Sequence, residues 1–347
     1  MSNQPYGPGR DVSQLGLFKG HITTRMPKPT GDLKGRVAMI TGATSGLGFE
    51  AALHFARLNA STIVFAVRNP DKAKAYTEKL YKQVPSFRGE VKTLALDLSS
   101  FESVRSFAKE LETAVPRLDF AVLNAGVFNT KHTMTKEGWL ADIQVNVLST
   151  GLLGLLLLPK LQATAKLPQP AGATPAVLKP QLHIVASEVH WLLQRKTHQR
   201  LVDADNLLET VCSREFWDST PFNEIYNLGK LFDIMLARKI GALPAAQGVQ
   251  VTSSSPGLCK SNLTGEFNPI VAWFITAISW RGEFGTRNYM IAMLQPHPQG
   301  TFIFEGVEHP TSKFSCSPEG VRVEGKLWEE SSRVWRDVAP EVDAVLR

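Results

Sequence analysis

Short apolar runs alternate with longer amphipathic stretches along most of this chain. The apolar runs contain many β-branched residues and predict buried parallel strands. They lie at residues 36–41, 61–67, 91–96, 118–123, 182–186, 248–254 and 301–304. Helical periodicity between them predicts helices at 49–58, 72–82, 101–115, 140–165 and 223–239. Repeated strand-then-helix units predict an α/β fold with a Rossmann-type, doubly wound parallel sheet in a single domain.

Segments that break this alternation set the predicted domain boundaries. Residues 1–34 are rich in Gly, Pro, Lys and Thr and lack sustained periodicity, so we expect an extension that lies along a surface or stays mobile. The domain is predicted to span 35–347, with insertions at about 167–180, 188–222 and 262–298. Prolines mark the first insertion, whereas the second mixes aromatic and charged residues and is expected to cover a ligand cleft.

Two apolar stretches raise the question of membrane contact. The run at 152–158 is far too short to span a bilayer and is interrupted by Pro159, which favours packing in the core or at a dimer interface. The aromatic-rich stretch at 270–280 is predicted to form a lid over an apolar ligand. A membrane-surface anchor is the alternative for this second stretch.

The composition excludes several classes of function. A formal charge of +6 over 347 residues is mild, and basic residues are not interleaved with aromatic ones, so no nucleic-acid binding is expected. A mild positive charge is better explained by a small-molecule ligand that carries phosphate than by nucleic acid. The three cysteines lack CxxC spacing and the eight histidines lack HExxH spacing, so neither a disulfide framework nor a metal site is expected. The polar N-terminus carries no apolar signal region, and a reducing, cytoplasmic location is the expectation.

A glycine-rich turn follows the first predicted strand and precedes a helix. Its spacing is GxxxGxG, formed by Gly42, Gly46 and Gly48 with Thr44, Ser45 and Leu47 between them. A strand, a glycine turn and a helix in this order is the context in which a diphosphate sits on a helix N-terminus. Glycine is needed where the backbone approaches the diphosphate without an intervening Cβ. The segment therefore predicts a dinucleotide-binding turn, with a plain tight turn as the alternative.

The end of the second predicted strand indicates which dinucleotide binds. Arg68 stands there, and no carboxylate is present to hold a ribose 2′-hydroxyl. A guanidinium suits a 2′-phosphate, so NADP(H) is favoured over NAD(H). Thr44 and Ser45 are candidate secondary donors to that phosphate. The alternative is that Arg68 is simply a solvated residue at a strand end.

Two further strand ends carry candidate cofactor contacts. Asp97, followed by Leu98, is a candidate acceptor for the adenine amino group, or else the N-cap of a helix that begins near Ser99. At the next strand-to-turn junction stand three small residues, Asn124, Ala125 and Gly126. The carboxyl ends of parallel strands are where open α/β sheets bind ligands.

The candidate chemistry centres on Tyr226 and Lys230, which lie four residues apart and hence on one face of a predicted helix. Such a pair also arises by chance. One cation at about 4 Å, at an effective dielectric constant of about 20, contributes on the order of 4 kcal/mol. Lowering a tyrosine pKa from about 10 to about 7 requires about that much, so Lys230 is expected to make Tyr226 reactive near neutral pH. Ser187 ends the strand at 182–186 and is a candidate donor to a carbonyl oxygen, with backbone capping as the alternative.

Taken together, residues 35–335 resemble the short-chain dehydrogenase/reductase family. The matching residues are Thr41 to Gly48 for TGxxxGxG, Asp97 for the adenine contact, Asn124-Ala125-Gly126 for NAG, Asn146, Ser187, Tyr226 and Lys230 for the catalytic tetrad, and Pro256-Gly257 for PG. In detail the chain resembles the retinol-dehydrogenase-like branch and fungal members that serve secondary-metabolite pathways. Gly229 departs from the serine that many members carry before the lysine. This glycine costs up to about 1 kcal/mol of helix stability but removes no reacting group.

The resemblance implies hydride transfer between NADP(H) and a carbonyl or alcohol. Tyr226 would protonate the developing alkoxide, Ser187 would donate a hydrogen bond to it, and Lys230 would lower the tyrosine pKa and hold the nicotinamide ribose. Asn146 is expected to position a water molecule that links Lys230 to solvent. Ser261, shortly after the Pro-Gly motif, is expected to touch the nicotinamide.

The sequence therefore predicts an NADP(H)-dependent carbonyl reductase or alcohol dehydrogenase that acts on an apolar ketone, aldehyde or alcohol. A homodimer is compatible with this prediction. Two alternatives stay open: a non-redox enzyme on the same fold, such as a cyclase or dehydratase, and a cofactor-binding protein with a regulatory role.

Overall fold

The computed structural model describes residues 7–259 and 279–347. Its strands are β1 (Val37–Thr41), β2 (Thr62–Val67), β3 (Glu90–Ala95), β4 (Phe120–Leu123), β5 (Gln181–Val185), β6 (Gln250–Ser254), β7 (Thr301–Phe304) and β8 (Val307–His309). They form one sheet in the order β3-β2-β1-β4-β5-β6-β7-β8. Strands β1 to β7 run parallel, and β8 pairs antiparallel with β7. The predicted doubly wound parallel sheet is confirmed, and its order reverses at β1 and β4, where such sheets bind ligands.

Helices connect the strands and cover both faces of the sheet. They are α1 (Gln14–Thr23), α2 (Gly46–Arg57), α3 (Pro70–Gln83), α4 (Phe101–Ala114), α5 (Ala141–Ala165), α6 (Arg195–Asp203), α7 (Leu207–Cys212), α8 (Arg214–Asp218), α9 (Phe222–Gly241), α10 (Gly282–Gly285), α11 (Arg287–Leu294), α12 (Lys313–Cys316), α13 (Pro318–Val338) and α14 (Asp343–Leu346). Short 3₁₀ turns lie at Glu188–Leu192, Pro244–Ala246 and Pro340–Val342.

The strands divide their side chains between two apolar cores because successive residues of a strand point to opposite faces. On β1, Val37 and Met39 belong to the core that packs against α4, α5, α9 and α13. Ala38 and Ile40 belong to the other core, which packs against α2, α3 and α11. Every residue of β1 is buried. Burial on both faces explains why the strands appear in the sequence as continuous apolar runs rather than alternating ones.

Helix α5 crosses the core and is the one helix in the described ranges that is long and apolar enough to span a membrane. It has 25 residues, and 89% of its most apolar window is buried inside the fold. The helix continues through Pro159, so the expectation that the proline interrupts this run is wrong. Its burial agrees with the predicted packing in the core. Within it, Gln144–Leu148 forms a π-helical segment, a feature that is common at functional sites.

The N-terminal region contains a helix that the sequence does not predict. Gly20 of α1 lies so close to the β7–β8 turn that a Cβ there would come within 2.0 Å of the Glu305 carboxylate. The ring of His21 stacks on Trp280 with centroids 4.0 Å apart, and the Trp280 Nε1 donates to the His21 carbonyl over 2.7 Å. Two glycines weaken the intrinsic helix propensity of this segment. Helix α1 is therefore stabilised by its tertiary contacts, and its sequence carries no amphipathic periodicity that would have predicted it.

The two described insertions differ in structure. Residues 167–180 contain no helix or strand, as predicted. Within 188–222, helices α6 and α7 pack on α13, and α8 packs on α7. The backbone N–H groups of Leu207 and Leu208 donate to the Glu330 carboxylate over 2.8 and 2.7 Å. Only the start of this insertion reaches the central cavity described below, so most of it covers α13 instead of a cleft.

Candidate active site

The turn between β1 and α2 has the shape of a diphosphate cradle. Gly42 and Gly46 have φ values of +70° and +43°, which favour glycine, and a Cβ on Gly48 would lie 2.4 Å from the Gly42 carbonyl oxygen. The N-cap residue Ser45 forms no side-chain hydrogen bond to the first turn of α2. The free N–H groups there, with open space around Gly46, fit a dinucleotide diphosphate.

Thr41 joins this cradle to the turn after β4. Its Oγ1 accepts from the backbone N–H groups of Asn124 and Ala125, each over 2.8 Å, and its carbonyl accepts from the Asn124 Nδ2 over 3.0 Å. These bonds hold the Asn124-Ala125-Gly126 segment beside the glycine turn at the switch point. The Tyr289 hydroxyl donates to the Asn124 Oδ1 over 3.3 Å and fixes the orientation of the amide.

The residues predicted to contact the cofactor at the ends of β2 and β3 have different surroundings. Arg68 is exposed and forms no hydrogen bond with the described residues. Asp97 accepts from the backbone N–H and the hydroxyl of Ser99 over 2.9 and 2.7 Å, whereas the N-cap of α4 is Ser100. The expectation that Asp97 caps this helix is therefore wrong, because Ser100 directly precedes the first helical residue. The side chain of Leu98 is buried in the apolar core.

A cavity of about 330 Å³ opens at the carboxyl ends of β4, β5 and β6. Its lining is mostly apolar, and it includes Leu47, Phe128, Val189, Leu192 and Leu258. Ser187, Tyr226 and Lys230 reach the same cavity, as do Pro256 and Gly257. Three of the four predicted catalytic residues thus come together beside the glycine turn. Ser261 and nearly all of the stretch at 270–280 lie outside the described residues.

Lys230 is held by two acceptors. Its Nζ donates to the Val185 carbonyl over 2.9 Å and to the Asp233 Oδ2 over 2.8 Å. The Nζ lies 5.7 Å from the centroid of the Tyr226 ring. Phe128 contacts that ring edge-to-face at 5.3 Å. Lys230 and Tyr226 are therefore neighbours across one helical turn, as their spacing predicts.

Asn146 lies behind these residues, in the π-helical segment of α5. Its Oδ1 accepts from the Val127 N–H over 2.8 Å and its Nδ2 donates to the Val127 carbonyl over 2.9 Å. A Cβ on Gly126 would lie 3.1 Å from the Asn146 Oδ1. The amide thus orders the backbone that follows β4, while its predicted contact with a water molecule stays a prediction.

Ser187 has the capping role that was the alternative for it, while its donation to a substrate carbonyl stays a prediction. Its Oγ accepts from the Val189 N–H over 3.3 Å, so it caps the 3₁₀ turn, and it donates to the Glu188 Oε2 over 2.9 Å. The Ser255 hydroxyl donates to the same oxygen. A carboxylate thus lies beside the predicted carbonyl donor.

The electrostatics of the cluster differ from the expectation for Tyr226. Burial raises the pKa of the phenol, the Lys230 ammonium opposes this rise, and the carboxylates of Glu188 and Asp233 add to it. The predicted lowering of the tyrosine pKa is therefore wrong for this arrangement. Desolvation and two nearby anions together outweigh the one lysine.

Lys230 and Asp233 form a buried ion pair. Burial works to lower the pKa of Lys230, but the adjacent Asp233 carboxylate and Tyr226 outweigh it, so the pKa is raised. Burial raises the pKa of Asp233 to about 6. The Asp233 Oδ1 is buried without a hydrogen-bond partner among the described residues. Lys230 therefore keeps its charge at neutral pH.

Asp233 leads to a prediction about the pH dependence of stability. Its pKa rises from 3.8 to about 6 on folding, so the folded protein binds a proton that the unfolded chain releases between these values. While it is protonated, the Asp233 carboxyl does not lower the stability of the fold. As the pH rises through about 6 the carboxyl ionises in the folded protein, and the free energy of unfolding is then lower by on the order of 3 kcal/mol. We expect Asp233→Asn to remove this fall, measured by urea unfolding at about pH 4 and about pH 7.

A matched control is Asp337→Asn, at an exposed carboxylate of α13, which should keep the fall. An unchanged fall in the Asp233 variant would contradict the assignment.

Sequence reasoning missed three polar residues of this site. Asp233 stands three residues after Lys230, and this helical spacing was a signal for the pairing. Glu188 follows Ser187 directly, but adjacency in a strand end does not reveal which way a side chain points. Ser255 carries no signal, because its contact with Glu188 joins residues 67 positions apart.

Comparison with known proteins agrees with this geometry. A profile described as short chain dehydrogenase matches residues 36–166. The short-chain dehydrogenase/reductase phmF of Phaeosphaeria nodorum is 32% identical over 324 residues, which cover 92% of this chain and 91% of the relative. The short-chain dehydrogenase/reductase ffsI of Aspergillus flavipes is 32% identical over 327 residues, which cover 92% of this chain and 91% of the relative.

A solved structure has the same fold. The NADPH-bound carbonyl reductase from chicken fatty liver aligns with a TM-score of 0.56 at 17% identity, over 81% of this chain and 96% of that one. The two fungal relatives match nearly the whole chain at a level that shows common descent. The chain therefore belongs to the short-chain dehydrogenase/reductase family of oxidoreductases, whose fold binds a nicotinamide cofactor.

Proposed function

We propose that the protein is an NADP(H)-dependent oxidoreductase that converts a ketone or aldehyde of a small molecule into an alcohol. The observation that carries this proposal is the convergence of Ser187, Tyr226 and Lys230 on one largely apolar cavity next to the glycine turn. A binding protein has no need for a phenol, an ammonium and a hydroxyl at one point. We further propose a role in secondary metabolism, which the resemblance to fungal family members implies.

The residues of the cluster suit the reducing direction. When bound, the nicotinamide supplies a hydride to the carbonyl carbon. Because burial raises its pKa, Tyr226 stays protonated at neutral pH and can donate its proton to the carbonyl oxygen. The Ser187 hydroxyl donates a hydrogen bond to the same oxygen as negative charge develops there. The Lys230 ammonium stabilises the phenolate that Tyr226 becomes until solvent returns a proton.

The choice of dinucleotide rests on two places in the fold, the turn between β1 and α2 and the residue at the end of β2. The backbone N–H groups at Ser45 and Gly46 would hold the diphosphate, and Arg68 would pair with the 2′-phosphate of NADP(H). The NADPH in the carbonyl reductase from chicken fatty liver supports this choice by analogy of fold.

Arg68→Asp tests the choice of cofactor. A charge-assisted hydrogen bond contributes about 1.5–3 kcal/mol, so we expect the KM for NADPH to rise by about 10-fold to 150-fold while the KM for NADH changes little. The measurement is the rate of cofactor oxidation with each dinucleotide and a common ketone. Arg333→Asp, an equal change of charge at an exposed residue of α13, controls for net charge. An unchanged preference in the Arg68 variant would contradict the assignment to NADP(H).

The reaction class is tested by product analysis. Purified protein is incubated with NADPH and a panel of ketones and aldehydes, and alcohol formation is compared with NADPH consumption. The proposal expects one alcohol for each NADPH oxidised. Product that forms without cofactor oxidation would refute it and would indicate a non-redox reaction on the same fold.

A further inference from the structure

Glu188 is a carboxylate on the wall of the cavity with no cationic partner. It is only 8% exposed and begins the 3₁₀ turn that follows β5. Its Oε2 accepts from the hydroxyls of Ser187 and Ser255. In the described ranges, no lysine, arginine or histidine forms an ion pair with it. Carboxylates this deeply buried are normally paired or fully hydrogen-bonded.

The hydrogen-bonding capacity of Glu188 is only partly used. An ionised carboxylate has about four acceptor positions, and both serine hydroxyls occupy the same oxygen. The Oε1 accepts no hydrogen bond from the described residues. The two serines hold the carboxylate in one orientation, with the cavity beside it. A ligand in the cavity can therefore complete its hydrogen bonding.

The position of Glu188 indicates which ligand atom it meets. Its Oε2 lies 2.9 Å from the Ser187 Oγ, and its charge contributes to the raised pKa of Tyr226. The partner of Glu188 thus lies next to the carbonyl that Ser187 and Tyr226 address in the proposed reaction. The lining of the cavity is mostly apolar and offers few further acceptors, so a hydroxyl with one proton fits better than an ammonium with three.

We propose that Glu188 is a specificity-determining residue that accepts a hydrogen bond from a hydroxyl of the substrate, on a carbon adjacent to the reacting carbonyl. The inference rests on the proposed function and narrows its substrate class to hydroxy ketones or hydroxy aldehydes, which are reduced to vicinal diols. The reaction stays balanced: the hydride goes to the carbonyl carbon and the Tyr226 proton goes to its oxygen.

This arrangement also explains how Ser187 becomes free to act. A serine hydroxyl has a single proton, and that of Ser187 is directed to Glu188. A substrate hydroxyl that donates to the Glu188 Oε1 compensates the carboxylate for this bond when the Ser187 proton turns to the carbonyl oxygen. A ketone without a donor leaves the buried carboxylate with one bond fewer. The site therefore discriminates against such ketones.

The test compares two ketones of similar shape, 2-hydroxycyclohexanone and 2-methylcyclohexanone, in which a methyl group takes the place of the hydroxyl donor. We expect kcat/KM of the wild-type enzyme to be about 10-fold to 100-fold higher for the hydroxy ketone, from the discrimination that buried polar groups provide. In Glu188→Met, which keeps the volume and removes the acceptor, the ratio should fall to about 1. Because the ratio is taken within one preparation, a partly unfolded variant does not alter it.

Glu209→Met, at an exposed glutamate of α7, is the matched control and should keep the wild-type ratio. Equal rates for the two ketones in the wild type, or an unchanged ratio in Glu188→Met, would overturn the inference. The ammonium alternative is tested by 2-aminocyclohexanone. A kcat/KM for this amine well above that for the hydroxy ketone would show that Glu188 prefers an ammonium donor and would refute the proposal.

The remaining alternative is that the donor to Glu188 belongs to the cofactor and not to the substrate. A binding measurement distinguishes the two. The Kd for NADPH, from fluorescence titration, should be equal in the wild type and in Glu188→Met. A weaker Kd together with an unchanged ketone ratio would assign the donor to the cofactor. If no ketone or aldehyde of the panel is reduced, the proposed function fails, and saturation-transfer NMR of the same ketone pair still decides whether Glu188 selects the hydroxyl.

Discussion

Replacing Tyr226 with phenylalanine is expected to lower kcat by a factor of about 10² to 10⁴, the usual contribution of a positioned proton donor, while the Kd for NADPH stays nearly unchanged. The variant removes one oxygen and keeps the ring, so the edge-to-face contact with Phe128 is retained. The loss therefore reports proton donation rather than packing. Steady-state rates and fluorescence titration of NADPH measure the two quantities separately.

The control for this variant is Tyr81→Phe, which removes the hydroxyl of an exposed tyrosine on α3. It should leave kcat as it is in the wild type. Retention of more than about a third of the wild-type kcat in Tyr226→Phe would show that another group donates the proton, and the proposed mechanism would be wrong.

Replacing Lys230 with methionine is expected to affect both stability and turnover. The change leaves the Asp233 carboxylate, only 1% exposed, without its cation. Removing one partner of a buried ion pair costs about 3–5 kcal/mol, measured as a lower free energy of unfolding in urea. The variant also removes the charge that stabilises the Tyr226 phenolate, so kcat should fall with it.

The double variant Lys230→Met with Asp233→Leu separates these effects. It replaces the ion pair with apolar side chains, and such replacements are often neutral or stabilising. We expect the free energy of unfolding to return to within about 1 kcal/mol of the wild type, while kcat stays low. If turnover also recovered, Lys230 would have a structural role alone. If stability did not recover, the pair would not explain the loss in the single variant.

The pairing of Lys230 with Asp233 changes how the catalytic group is understood. A lysine facing a phenol alone would lower the pKa of that phenol, which suits a base. Here the lysine is shared with a carboxylate, and burial leaves the phenol protonated. The phenol is thus held in the protonated form, which is the form that donation to a carbonyl oxygen requires.

Much of the fold could be predicted because it depends on local patterns. The strands are apolar runs since both sheet faces are buried, and the Gly42-to-Gly48 turn is recognisable because its φ values and close contacts admit only glycine. The spacing of Tyr226 and Lys230 places them together through helix geometry alone. Helix α1 and strand β8 have no comparable pattern, since α1 is stabilised by its contacts with Trp280 and β8 is three residues long.

By itself, the sequence determined the order of strands β1 to β7, the glycine turn after β1 and the one-turn spacing of Tyr226 and Lys230, because each is encoded by neighbours in the chain. Only the tertiary structure decided that Glu188 receives the Ser187 and Ser255 hydroxyls, that Asp233 shares Lys230, and that the pKa of Tyr226 rises. These properties depend on desolvation and on charges brought together from distant parts of the chain. Neither quantity exists until the chain has folded.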